Sequence, residues 1–312
     1  MFNRITRQYD TVQRKAAPYI FISPFYILFA IFGFFPIVFS LYLSFHSWDA
    51  IGPLQWVGFE NFRFLITDEW FWQGLYNTIG IGLMSGIPQH VLALVLAFII
   101  NSKLIRLTKF FRGAYFLPYI TSTVALALIF SMMLGRRYGI LNYLLLNLET
   151  VPPLGALFSW LNFDVPVNWL GNPTFIWPSI AMVMTWRWFG WNMVLYLAGL
   201  QAIPKELYES ARVDGANNRH IFLRITLPLL RPMMVFAFTM TIIGQMQAFD
   251  EPMILLGTSG GPGQTGMTSV MYLYRTGFEW MQLGQGAAMS YLLFVVIMIG
   301  SLVNFKITGR RD

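Results

Sequence analysis

The sequence predicts an all-α membrane protein with six transmembrane helices and both termini cytoplasmic. Composition points there first: 56% of the 312 residues are hydrophobic and only 11% are charged, against about 25% charged in soluble domains. One or two soluble cores cannot hide that much apolar side chain. Six apolar runs are each long enough to cross a hydrocarbon core, which takes about 20 helical residues. Charge completes the picture, because sixteen of the 21 lysines and arginines fall in the N-terminal segment, a turn at 103–112, a polar island at 202–232 and the C-terminus. An excess of lysine and arginine marks the cytoplasmic face, and six spans return both termini to it.

The N-terminal segment, residues 1–18, is basic and precedes an apolar run too long for the core of a signal peptide, so it is expected to stay as a cytoplasmic segment. Residues 19–312 then form the transmembrane domain. The first span covers 19–45, with Pro24 and Pro36 as bending points. A Trp-rich polar stretch follows at 46–73, whose rings suit the headgroup zone. The second span covers 74–100, the third 114–134. A loop at 135–172 holds one interfacial helix, GILNYLLLNL, stopped by Pro152-Pro153. The fourth span, 175–200, carries Arg187 among Trp186, Trp188 and Trp191. The fifth covers 233–256, and the sixth 286–305. The charge of +7 forms no continuous stripe, so no nucleic acid is expected as a partner. Cysteine is absent, which removes disulfide and thiolate chemistry. The localisation that follows is a cell membrane, multi-pass.

The polar island organises the chain. Pro204 suits a first helical position, and Glu206 and Glu209 follow where the helix dipole favours carboxylates. Gly215 can close that helix in the left-handed conformation. Asn217 or Asn218 can then cap a second helix that should stop near Pro228. Ser210 and Ala211 are small enough for another backbone to approach, while Glu209, Arg212 and Asp214 offer charges.

These residues carry a resemblance. Glu209-Ser210-Ala211, Asp214-Gly215-Ala216, Phe222, Ile225, Leu227-Pro228 and Pro232 resemble the EAA loop of permease subunits of binding-protein-dependent ABC importers, with Ser210 standing where that pattern has Ala. VGFENF (57–62), Asn77-Thr78, FFRGAYFLPY (110–119), LAGLQAIP (197–204) and GGPG (260–263) are similar to the carbohydrate-uptake branch. The resemblance implies that Glu209, Ser210, Ala211, Asp214 and Gly215 form a cytoplasmic coupling helix between the fourth and fifth spans that docks on an ABC ATPase dimer. It also implies a second homologous permease subunit, an extracytoplasmic solute-binding protein and a sugar or related polyol as substrate.

The chain is not expected to be an enzyme or to bind a cofactor. GGPG lacks the GK[ST] ending of a phosphate loop, so ATP and Mg belong to the partner ATPase. His46, His90 and His220 are scattered, and no metal site is expected; His90 reads as a buried, hydrogen-bonded residue. Arg187 lies 13 residues from the inner end of its span, about 20 Å deep. A charge at that depth faces a bundle interior or a wet cavity. It either pairs with Asp250 or Glu251 or lines the transport path, and the two are compatible. Asn192, Gln245 and Gln247 at similar depth, with Trp188, suit a neutral hydroxylated solute, and with Arg187 and Asp250 they make the candidate path. Two alternatives remain: import of another polar solute such as a glycerol-phosphate-type compound, and ion-coupled secondary transport, which needs intramembrane carboxylates.

Overall fold

The computed structural model describes residues 2–102, 107–160 and 164–309; Lys103, Arg106, Arg310 and Arg311 lie outside the described residues. Two compact units are present: one runs through Thr67 and includes Thr276–Tyr291, the other takes Asp68–Arg275 and the residues from Leu292 on.

In the first unit α1 (Phe2–Phe29) continues through a π-helical turn, Ala30–Phe34, into α2 (Phe35–Leu43). Pro36 sits just behind the π turn, where the hydrogen-bond ladder is already changing register, so its missing N–H causes no break. The helix also runs unbroken across residue 18. Its apolar side chains are largely exposed, Phe21 at 85% and Phe32 at 75%. Ser44 ends it, and a short antiparallel ladder follows, β1 (His46–Ser47) with β2 (Gln55–Trp56), His46 opposite Trp56. The string VGFENF works here. Phe59 and Phe62 at the start of α3 (Glu60–Thr67) pack on Phe45, with ring centroids 5.3 and 5.6 Å away. Buried Asn61 donates to Ser44 O and His46 O, both at 2.9 Å.

The second unit is built on two long helices, α4 (Glu69–Asn101) and, after four shorter pieces, α9 (Pro173–Ala202), which pack against each other along their lengths. Both start on a side-chain cap: Asp68 accepts from Trp70 N at 3.1 Å and Asn172 from Thr174 N at 3.0 Å, with Pro173 in the first turn. The shorter pieces open with α5 (Thr108–Ile120) and α6 (Thr123–Met133), bent 92° from each other. This corrects the expected straight third span. Pro118 removes one backbone donor, and Thr121, Ser122 and Thr123 compete for backbone bonds, Thr121 Oγ1 donating to Leu117 O at 2.8 Å. Then come α7 (Ile140–Glu149) and α8 (Pro152–Trp160). Asn142 on α7 ties the long loop together: it donates to Arg136 O and Val167 O and accepts from Val167 N and the Trp169 indole.

Beyond α9 lie α10 (Lys205–Val213), α11 (Asn218–Ile221), a π turn (Phe222–Thr226) and α12 (Leu227–Met246). The second island helix does not stop at Pro228 as expected. The π turn ahead of that proline lets helix run on through Pro228 and Pro232. A break at Gln247–Phe249 separates α12 from α13 (Asp250–Leu256). The Gly-rich loop follows, then α14 (Ser269–Tyr274); α15 (Leu283–Gly309) ends the described chain. In that loop Gly260, Gly261 and Gly263 have φ between +60° and +77°. Asn77 holds it by donating to Gln264 O at 3.0 Å and Met267 O at 2.9 Å, and the Trp177 indole donates to Thr265 O at 2.7 Å.

Among the described residues four helical stretches are long and apolar enough to cross a membrane, Ala16–Leu43, Glu69–Asn101, Asn218–Leu256 and Leu283–Thr308; the bent α5–α6 pair makes a fifth if it counts as one span. Helix α9 is 30 residues long, and 13 of them are buried, but it is not among those stretches. Gly190 is what lets α9 lie against α5: a Cβ there would stand 1.8 Å from Tyr115 O. Backbone cannot give way as a side-chain tip can. Gly190→Leu should therefore cost at least about 1–3 kcal/mol and lower the melting temperature of the purified chain in detergent. Gly113→Ala, at a site with open space around it, should leave it equal or higher.

Candidate functional site

Two of the apolar clusters in the second unit frame the site. One gathers Ile81, Phe130, Ile180, Met184, Ala248 and Leu255 among others; the second gathers Ala93, Ala97, Met193, Tyr196, Leu197, Leu230 and Ala237 among others. Between them, at corresponding positions on α4, α9 and α12, lies a polar layer. Helix α4 contributes Ser85, Gln89 and His90, α9 contributes Arg187, Trp188 and Asn192, and α12 contributes Thr241 and Gln245. Gln89, His90, Asn192 and Gln245 are all buried.

The amide bonds within this layer are long. Gln89 and Asn192 donate to Thr241 Oγ1 at 3.5 and 3.4 Å, and Gln245 donates to Gln89 Oε1 at 3.4 Å. Good N–H···O bonds cluster near 2.9–3.0 Å. Asn192 Oδ1 and Gln245 Oε1 are buried without any partner among the described residues. Two acceptors are thus held out of water and left unused, a costly arrangement that an incoming hydroxyl donor would relieve. His90 Nδ1 and the Tyr196 hydroxyl share a 2.6 Å hydrogen bond, in keeping with the structural role expected of His90.

Arg187 Nη1 donates to Glu251 Oε1 at 2.6 Å, and the guanidinium carbon lies 5.3 Å from the Trp188 ring centroid. The carboxylate partner is Glu251 and not Asp250, which is exposed at the first position of α13. Gln247 does not join Gln245 either: it caps α12 and is exposed. Residues two apart lie on different faces even of an unbroken helix, so Gln247 cannot share the face of Gln245; the break after Met246 sets the rotation of α13 apart from the count carried forward from Met233.

Trp188 and Trp191 line a hollow of about 60 Å³ together with Gln89, Asn192, Thr241 and Gln245. Tyr119 packs on both indoles, at 5.3 and 4.8 Å. A volume of that size holds a few waters, far below the about 300 Å³ at which small-molecule sites begin. A larger groove of about 490 Å³ runs beside it, but Ile79, Leu83, Ile87, Val91, Phe238 and Ile242 make it apolar. The signal for Gln89 was present in the sequence: Ser85 and Gln89 are four apart in an apolar run and share a helix face.

The polar island folds as a cap, a helix and a second cap. No residue of α10 is buried, and Glu209, Ser210, Asp214 and Gly215 are exposed with Ala211 half-buried. Gly215 has φ +81°; Gly215 N donates to Arg212 O at 3.0 Å and Ala216 N to Ala211 O at 2.9 Å. This is the Schellman arrangement of a helix end. Asn217 is the cap of the next helix, accepting from His220 N at 2.8 Å. Two apolar side chains, Leu207 at 41% and Val213 at 88%, face outward. Beneath, Tyr208 accepts from Thr226 Oγ1 at 3.3 Å and packs on the second cluster.

A bundle of apolar helices with a buried polar layer and an exposed, capped loop defines a membrane permease. The comparisons name the family. Residues 78–307 match the model described as "Binding-protein-dependent transport system inner membrane component", and the chain belongs to that family: it is a multi-pass inner-membrane permease subunit of the ABC type. It is 36% identical to the arabinooligosaccharides transport system permease protein AraP of Bacillus subtilis (strain 168), covering 95% of this chain and 90% of that one. It is 30% identical to the trehalose/maltose transport system permease protein MalF of Thermococcus litoralis, over the full length of both. A bacterial ABC transporter involved in the import of the acidic polysaccharide alginate has a chain of like fold, with TM-score 0.76 and 25% identity over 97% of this chain and 99% of that one.

Arg187→Ala should strand a carboxylate that is 5% exposed, at a cost of about 3–5 kcal/mol. The double change Arg187→Met, Glu251→Met removes both charges and should recover most of that loss. Melting temperature and the yield of assembled complex report the stability effect. Uptake by the double variant separates a purely structural pair, where transport returns, from a path residue, where it does not.

Proposed function

We propose that this chain is one half of the translocation path of an ATP-driven importer and carries a neutral sugar or related polyol into the cell by alternating access. The observation that carries this reading is the polar layer, in which two buried amide oxygens lack donors beside the rings of Trp188 and Trp191. Hydroxyls can satisfy the amides, and the C–H faces of a sugar pack on indole. The chain's similarity to an arabinooligosaccharides and a trehalose/maltose transport system permease protein supports the same class. The hollow is smaller than a sugar ring, so the path opens by motion of the helices around it. A glycerol-phosphate-type solute fits less well, because the layer's arginine is already taken up by Glu251. That same pairing leaves Glu251 poorly suited to ion coupling.

The full assembly we infer has a second homologous permease subunit, a cytoplasmic ABC ATPase dimer that holds ATP and Mg, and an extracytoplasmic solute-binding protein. The chain itself binds no cofactor and catalyses no reaction. Six spans follow if the bent α5–α6 pair and α9 both cross. Helix α9 is less apolar than the four long stretches, and the burial of 13 of its 30 residues within the protein makes room for its arginine. Residues 1–18 then lie inside and 19–312 form the transmembrane domain, with the loop at 202–232 as the coupling element.

Single-cysteine variants test the orientation, since the chain has no cysteine of its own. A cysteine at Arg212 should react with an impermeant maleimide only in opened vesicles, and one at Thr265 in intact cells. Labelling of position 212 from outside reverses the topology.

Coupling is tested at the island. Gly215→Val places a β-branched residue at φ +81°, a strain of about 1–3 kcal/mol, where the added side chain meets no neighbour. Glu209→Arg reverses an exposed charge. Both should leave membrane insertion intact while lowering ATPase pull-down or separating ATP hydrolysis from uptake by tenfold or more, about 1.4 kcal/mol. Wild-type association and uptake in both variants would remove the island from the coupling role.

A further inference from the structure

A second hollow lies in the first unit and plays no part in the path described above. It encloses about 330 Å³, within the range of small-molecule sites, between the strand-turn segment bearing Trp48 and Asp49 and the segment bearing Trp280, Gln282 and Gln285. We propose that this hollow is a binding subsite for one neutral sugar unit of the transported solute, on the face from which the solute arrives. The proposal rests on the sugar-importer reading and its topology, in which the hollow is extracytoplasmic.

Four observations carry it. Trp48 is fixed in place, its indole donating to Gly52 O at 3.0 Å and its ring edge-on to Phe39 at 6.4 Å. A wall held this firmly loses little freedom when a sugar face packs on it. Asp49 accepts from Gly52 N at 2.7 Å and Ile51 N at 3.1 Å, both on Oδ1. These two amides, Gly52 foremost, hold the carboxyl below its ordinary value, so it stays an acceptor, with Oδ2 available to a hydroxyl. Gln285 Oε1 is buried and has no partner among the described residues, a group that costs stability unless a donor arrives. Finally, Ala50 (φ +72°) and Met281 (φ +56°) hold left-handed backbone beside the hollow without being glycine. Such strain persists where the surroundings enforce it and gathers at ligand sites.

Charge selects among sugars. Asp49 is the only charged residue in the lining among the described residues, so a neutral unit is favoured and a uronate is repelled.

The test uses the whole transporter, with its partner permease and ATPase, in lipid nanodiscs without the solute-binding protein. Saturation-transfer NMR is recorded with arabinotriose, maltotriose, lactose and an alginate trisaccharide as probes. At least one neutral sugar should receive saturation, the alginate trisaccharide should not compete with it, and Trp280→Ala or Gln285→Leu should weaken the signal by about tenfold. Melting temperatures confirm folding, and if Gln285→Leu does not assemble, Trp280→Ala decides. No transfer to any neutral sugar, equal competition by the alginate trisaccharide, or full signal in the folded variants overturns the subsite. Uptake of the same sugars, with the binding protein restored, separates the two readings. Uptake without hollow-dependent binding removes the subsite alone, whereas no uptake of any of them removes the sugar reading beneath it.

Discussion

Burying an arginine among apolar helices constrains everything around it. An unpaired guanidinium in that setting costs several kcal/mol, and its pairing with a carboxylate holds only while both helices keep their positions. Arg187 meets Glu251 because α13 is a separate short helix packed on α9 and α6. That helix in turn requires the break at Gln247–Phe249, which ends α12 and resets the rotation of the chain. The ion pair and the break thus occur together. Gln245 faces inward and Gln247 out, as positions two apart on a helix do.

The layer survives because apolar packing closes it from both sides. The clusters around Ile180 and around Leu197 supply cohesion that the polar groups do not, since amide bonds of 3.4–3.5 Å contribute little. Close helix approach does the rest. Gly190 admits the Tyr115 carbonyl, and Gly80 seats the Trp177 ring, which a Cβ would meet at 2.2 Å. Rigidity is concentrated in the apolar clusters and slack in the layer between them, a distribution suited to a segment that must open and close.

Much of this was legible in the sequence. Long apolar runs placed the helices of the expected second, fourth and sixth spans to within five residues at each end, whereas the expected fifth, 233–256, begins earlier and is broken after Met246; the island's Gly215 and Asn217 took the backbone roles their chemistry requires. Pairing with Asp250 or Glu251 was one of two compatible readings of Arg187, and the partner is Glu251. What could not be read has physical causes. Thr121-Ser122 lies inside an apolar run, and nothing in hydropathy separates a 92° bend from a straight span. Pro228 reads as a stop, yet a preceding π turn absorbs it. Asn77 and Asn142 stood out only as parts of longer strings, because a clamp on a distant loop depends on contacts across 190 and 25 positions that no local pattern encodes.

The island and the polar layer are joined by matter and not only by sequence order. Tyr208 on α10 packs into the same cluster as Ile203, Leu200 and Leu230, and its hydroxyl takes the Thr226 bond at the π turn that opens α12. Phe222 in that turn lies edge-on to Phe98 of α4, at 4.9 Å. Helix α10 therefore packs on a cluster whose other members sit on α4, α5, α9 and α12 among others, and α4, α9 and α12 are the three helices that supply Gln89, Asn192 and Gln245. A π turn is the least regular part of this connection, and it lies where the island hands over to the span. In the coupling role proposed for the island, the packed cluster lies between α10 and the layer, whose long amide bonds are the contacts that give way most easily.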